Sequence, residues 1–227
     1  MNRVAIAVSS IVSSCFISVP VHAALITDGF TFAVASAGGD FSAGTHFHSN
    51  TGGTFGNPAG KAEVGRYSTE EVRGLSEYDL TGLAASPTAF VTFNVFKAGG
   101  LFVGENDTPF DGTIDIEIYE GNNTEDLSDF EAPTVAYVTS FATAGLSVGD
   151  VISADITTWF NQAITDGWTS LGIRLRNEPL HPTSQAWTFD LFRLTTEDET
   201  TRIPEPGMLG LLGVGIVALG MARRRQA

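Results

Sequence analysis

The sequence predicts an all-β fold, an antiparallel β-sandwich with one short helix, framed by a targeting segment at each end. Three observations carry this. Short stretches alternate apolar and polar residues with the period of two of a half-buried strand. The clearest are Val91, Phe93 and Val95 against Thr92 and Asn94, and Ile114, Ile116 and Ile118 against Asp115 and Glu117. Turn formers such as Gly38-Gly39-Asp40, Gly99-Gly100 and Gly121-Asn122-Asn123 separate the stretches. The composition, with 25 Gly and 16 Phe in 227 residues and few Lys, favours short strands over long helices.

Length suits one domain plus targeting segments. The net charge is −14, but four of the twelve basic residues (Arg3, Arg223, Arg224 and Arg225) sit at the ends. All 26 acidic residues lie between Arg3 and Arg223, against eight basic ones, so that stretch carries −18. Such a surface repels phosphates, which excludes nucleic acid as a partner. The single cysteine, Cys15, falls in the N-terminal segment, so disulfides, cysteine zinc sites and thiol nucleophiles are excluded from the domain.

Residues 1–23 read as a secretory signal peptide. Arg3 supplies the positive start, an apolar run follows, and Val21-His22-Ala23 places small residues where signal peptidase reads them. Cleavage is expected between Ala23 and Ala24. Val12-Ser13-Ser14-Cys15 loosely resembles a lipobox, but the apolar run continues through Phe16, Ile17 and Val19.

Residues 24–196 form the sandwich domain. Leu25 to Ala35 reads as a first strand, and Phe41 to Ala62, rich in Gly, Ser, Asn and Thr, as a surface excursion. Strands follow at Glu70–Leu80, Ala89–Phe96 and Ile114–Ile118, the last with one apolar and one acidic, solvent-facing side. Thr124–Glu131 is an acidic connector, Thr134–Ala142 a strand, and Gly145–Asp150 a loop. From Asp155, a suitable N-cap, Ile156, Trp159, Phe160, Ala163 and Ile164 fall on one helical face, which Asp166-Gly167 ends. Leu171–Arg176 and Ala186–Thr195 close the set, and residues 197–202 are a polar linker.

Three stretches carry a family resemblance. Arg73-Gly74-Leu75-Ser76-Glu77-Tyr78-Asp79-Leu80 resembles the Arg-x-x-x-x-F/Y-Asp-Leu strand of DNRLRE-type domains. Gly149-Asp150-Val151, then Asp155-Ile156-Thr157-Thr158-Trp159, then Leu171–Arg176 resemble the segments that follow it there. The resemblance implies a jelly-roll sandwich like that of carbohydrate-binding modules.

The chemistry-bearing candidates are few. Glu120, Asn122, Asp126 and Asp129 could hold a structural Ca²⁺, since hard cations take oxygen ligands from such loops, but the spacing is not that of an EF-hand. A solvated acidic face is the competing reading. Asp115 and Glu117, two apart on one strand side, could act as an acid–base pair on a glycan, although strand alternation alone explains them. Of the three tryptophans, Trp159 and Trp187 fall on core-facing sides, and Trp168, just after a turn, is the candidate sugar-stacking ring. His46 and His48 read as solvated loop histidines. There is no nucleophile elbow and no phosphate-cradling loop. The expectation is therefore a non-enzymatic protein with no cofactor beyond that calcium. A carbohydrate-binding module is the alternative, and a polysaccharide hydrolase or lyase a third reading.

Residues 203–227 are an address. Pro204-Glu205-Pro206 precedes an apolar helix over 207–222 and the cluster Arg223, Arg224, Arg225. The apolar stretch is shorter than the roughly 20 residues that span a bilayer comfortably, and the arginines would stay cytoplasmic as a stop-transfer signal. Short apolar tails of this kind can park a substrate at the membrane before removal. The three parts in this order resemble the PEP-CTERM sorting signal of Gram-negative bacteria. That implies an exosortase acting near Pro204-Glu205-Pro206, transient residence in the inner membrane, delivery to the cell surface or beyond, and association with exopolysaccharide and biofilm.

Overall fold

The computed structural model describes residues 23–48 and 60–201. Eleven strands are present among the described residues: β1 Leu25–Asp28, β2 Phe30–Ala37, β3 Asp40–Phe47, β4 Ala62–Tyr67, β5 Glu70–Asp79, β6 Phe90–Lys97, β7 Thr113–Gly121, β8 Ala136–Ala142, β9 Val151–Asp155, β10 Ser170–Asn177 and β11 Ala186–Thr195. One α-helix, α1 Thr157–Asp166, lies between β9 and β10. Short 3₁₀ turns occupy Leu127–Phe130 and Glu199–Thr201.

Every strand pairing is antiparallel. One layer runs β3-β2-β5-β10-β7-β8. The other runs β9-β6-β11, with β4 and β1 end to end on the far side of β11. The layers join at β4, whose first half pairs with β11 and whose last residues pair with β5. Gly65 is the corner: its φ is +139°, and a Cβ there would meet the Gln185 carbonyl at 2.4 Å, so only glycine fits.

The alternation read from the sequence is the core. Val91, Phe93 and Val95 of β6, Ile114, Ile116 and Ile118 of β7, Leu171, Ile173 and Leu175 of β10, and Phe189, Phe192 and Leu194 of β11 are buried together. Phe93 stacks on Phe192 at 4.6 Å between centroids and meets Phe189 edge-on at 5.4 Å. The helix adds Ile156, Phe160 and Ala163 to this core and stops at Gly167, in the left-handed conformation at φ 75°.

Four readings need correction. The first strand is two: at Gly29 the chain leaves β11 for β5, so β1 and β2 belong to different layers. The excursion from Phe41 contains β3, whose small Gly, Ser and Ala residues hide the period of two. Asp155 is the last residue of β9 and not the N-cap, which is Ile156, although the Asp155 carboxylate accepts from Thr157 N at 2.8 Å. Finally, the outer side of β7 does not face solvent. A second cluster of Phe30, Phe32, Val34, Leu75, Tyr119 and Phe130 lies on that side, closed over by the connector after β7.

Removing the Phe93 ring should open a cavity at the centre of the main core. Phe93→Ala is expected to lower unfolding free energy by about 3–5 kcal/mol in urea denaturation.

Candidate functional site

A dense group of charged side chains lies beneath that connector, a strap over residues 122–134. Its foundation is strand register. Arg174 of β10 stands opposite Glu117 of β7 and Leu75 of β5, so its guanidinium emerges on the outer side of the first layer. It is 3% exposed. Nε and Nη2 donate to Glu117 Oε2 at 2.9 and 2.6 Å. Nη1 donates to the carbonyls of Asp129, Phe130 and Ala132 at 3.3, 3.1 and 2.9 Å, and Nη2 to Thr134 Oγ1 at 2.5 Å.

Arg73 of β5 repeats the device. Its Nε and Nη2 pair with both oxygens of Glu71 at 2.8 and 2.9 Å, while Nη1 donates to the Phe130 carbonyl at 2.6 Å. The guanidinium lies 3.8 Å over the Phe130 ring. The start of the strap is held by Glu77, which accepts from Asn122 N, Asn123 N and Ser170 Oγ at 3.0, 2.7 and 2.8 Å. Gly172 leaves room for the Tyr119 ring beside this group, since a Cβ would sit 2.2 Å from it.

The two carboxyls buried beneath the strap have raised pKa values. Burial, reinforced by the nearby Glu77 charge, pushes Asp129 up to about 8. Burial also raises Glu77, against the hydrogen bonds it accepts from Ser170, Asn123, Asn122 and Tyr119. Asp129 is 4% exposed, withdrawn beneath the strap. The arrangement can hold a strap on a sheet; its charged groups are engaged with one another.

The structure distributes the expected site residues. Asp126 caps the first 3₁₀ turn, accepting from Ser128 N and from Asn122 Nδ2 at 2.8 and 2.7 Å. Asp129 turns inward and accepts from Asp126 N at 3.2 Å, and Glu120 points to solvent. The four do not converge as ligands, and among the described residues no three His, Cys, Asp or Glu side chains are placed to hold a metal ion. Glu117 is not on a solvated face, because Arg174 and the strap bury it.

Trp168 is half-buried against the main core, as is Trp159, and Trp187 is buried with Nε1 donating to the Phe110 carbonyl at 2.9 Å. Of the two histidines, His46 is exposed as expected but is a strand residue, and His48 is withdrawn from water. His46 lies in β3, 3.6 Å from the Glu70 carboxylate. His48, 2% exposed, sits 3.3 Å from Glu63 Oε1 between the rings of Tyr67 and Phe102. No sequence signal distinguished it, because its partners come from β4 and a loop far along the chain.

The expected cleavage junction is near the domain's other end. Ala24 N donates to Thr196 Oγ1 at 3.1 Å, and Thr196 N donates to the Ala24 carbonyl at 2.9 Å. The chain therefore enters and leaves the sandwich at one place. Pro204, Glu205, Pro206, the apolar run and Arg223, Arg224 and Arg225 lie outside the described residues. Among those described, no helix is long and apolar enough to cross a membrane.

Residues 202–226 match the PEP-CTERM protein-sorting motif. The motif implies export, a precursor anchored in the membrane by its C-terminus, and processing by an exosortase. No curated protein matches the chain.

Two outcomes test the strap. Arg174→Ala leaves Glu117 buried without its cation and should cost about 3–5 kcal/mol in chemical denaturation, while replacing Arg174 and Glu117 together by Met should recover most of the loss. Asp129 has a raised folded pKa, so its contribution to stability is full below the unfolded value of 3.8 and is lost as pH rises through about 8. The melting temperature should fall from pH 5 to pH 8, and Asp129→Asn should flatten that slope.

Proposed function

We propose that the chain is a non-enzymatic exported protein of the cell envelope. Signal peptidase removes residues 1–23, an exosortase processes the tail at Pro204-Glu205-Pro206, and the acidic sandwich remains at the surface or in the surrounding matrix with exopolysaccharide. The match over residues 202–226 carries this reading. The geometry of the ends supports it. Ala24 and Thr196 adjoin, so two membrane-inserted segments of a precursor would leave the domain on one side. Residues 202–206 separate the last 3₁₀ turn from the apolar run, and such a length of chain reaches at most about 20 Å. The precursor's sandwich is thus held close to the membrane until the tail is cut.

The likeness to DNRLRE-type domains rests on strands that are neighbours here, with Tyr78 of β5 opposite Leu171 of β10. It supports a binding or structural role for the sandwich over a catalytic one. So does Glu117, whose carboxylate is engaged by Arg174 and Thr134 and is not free for acid–base work.

In this reading Glu205 is substrate and not catalyst. Glu205→Ala should accumulate a membrane-bound precursor that keeps its apolar tail, seen as a larger band in the membrane fraction. Normal processing of that variant would contradict the assignment.

A further inference from the structure

Four described strands have a partner on one side only: β1, β3, β8 and β9. An open strand edge presents unpaired N–H and C=O groups to any other strand, and folded proteins commonly blunt it with charge, short length or cover. Three of the four carry a carboxylate within the strand, Asp28 in β1, Asp40 in β3 and Asp155 in β9. The edge of β3 also has a cover, since Gly44 N donates to Glu131 Oε2 at 2.9 Å beside the first 3₁₀ turn.

The β8 edge carries no such charge, and among the described strands outside its own layer only β9 comes near it. It reads Ala-Tyr-Val-Thr-Ser-Phe-Ala, and no charged residue occurs between Glu131 and Asp150. Val135 and Tyr137 are 48% and 55% exposed, and Thr139, Ser140 and Ala142 are exposed beside them. The strand is bonded to β7 along its other side, with Val135 N and Thr143 N, just beyond its ends, donating to Ile118 O and Gly112 O at 2.8 and 2.9 Å. One shift of register occurs, between Ile116 and Glu117 on β7, which leaves Thr139 to Ala142 as a regular stretch opposite Ile116 to Thr113.

We infer that the β8 edge pairs with the β8 edge of a second copy of this chain, antiparallel and two-fold, so that the first layers of two sandwiches become one continuous sheet. Charge selects this occupant. Two copies of so acidic a chain repel wherever carboxylates would meet, and β8 is the open edge where they do not. A strand with a neutral, partly apolar edge is complementary to itself, and an antiparallel pair of identical edges closes as a dimer and does not grow further. Because the remaining surfaces repel, the dimer tightens as salt screens them, whereas an interface built on ion pairs would loosen.

The test uses the mature protein as its host exports it. Sedimentation velocity should show a monomer–dimer equilibrium that shifts to dimer as salt is added. Thr139→Glu should weaken the dimer about tenfold or more, while Val148→Glu, the same charge on the loop beyond β8, should leave it unchanged. Ser140→Glu is the second edge variant should Thr139→Glu fail to fold, and unchanged melting shows which of them is folded. Ser140→Cys should form a disulfide-linked dimer on mild oxidation, and Val148→Cys should not. A chain that stays monomeric at every concentration, a dimer indifferent to both edge charges, or a Ser140→Cys adduct with a different protein would each overturn the inference.

Discussion

The burial of Arg174 is the constraint on which the outer half of this molecule depends. A guanidinium withdrawn from water needs an anion and several acceptors, and both come from defined places: Glu117 across the ladder, and the carbonyls of Asp129, Phe130 and Ala132 from the strap. Those carbonyls are free to accept because residues 129–132 form no strand. Once the strap is fixed there, Phe130 lands on Arg73 and beside Phe32, and the second core closes. A buried ion pair adds little net stability compared with well-packed apolar groups. Its effect here is on placement: a segment with few apolar residues acquires one position on the sheet.

The same economy of partners explains the acidic surface. Glu71, Glu77, Glu117 and Asp129 are buried at the strap, yet each meets a guanidinium, a backbone N–H or a hydroxyl. Glu63 and Asp190 are buried elsewhere, beside His48 and Lys61, and most of the remaining carboxylates lie toward solvent, which suits a cysteine-free domain that keeps its fold without covalent links. Its two ends meet at Ala24 and Thr196, so whatever attaches to either end attaches to one side of the fold.

Much of the main core was legible in the sequence because its strands alternate cleanly. Val91, Phe93 and Val95, and Ile114, Ile116 and Ile118, announce both their conformation and the side they bury. The helix was legible from its apolar stripe and from Gly167, within a residue or two at its start. What escaped had a physical reason in each case. The strand β3 has only small and polar residues between Phe41 and Phe47, and β9 is too short to show a period. Glu117 looked like a solvent-facing acid because its burial depends on Arg174, which is distant in sequence. His48 was hidden for the same reason, its environment being made by Glu63, Tyr67 and Phe102. The calcium candidates illustrate the converse: Asp126 and Asp129 are close in sequence, yet one caps a turn and the other points inward.

The tail was the most legible feature and the one that decides the account, because its parts act through sequence alone. The account holds that the finished protein is the sandwich without its two targeting segments. Intact-mass measurement of the exported protein tests this most directly. A mature chain that begins at Ala24 and ends near Pro204-Glu205-Pro206 is the predicted result. A mature chain that still carries Arg223, Arg224 and Arg225 would contradict it.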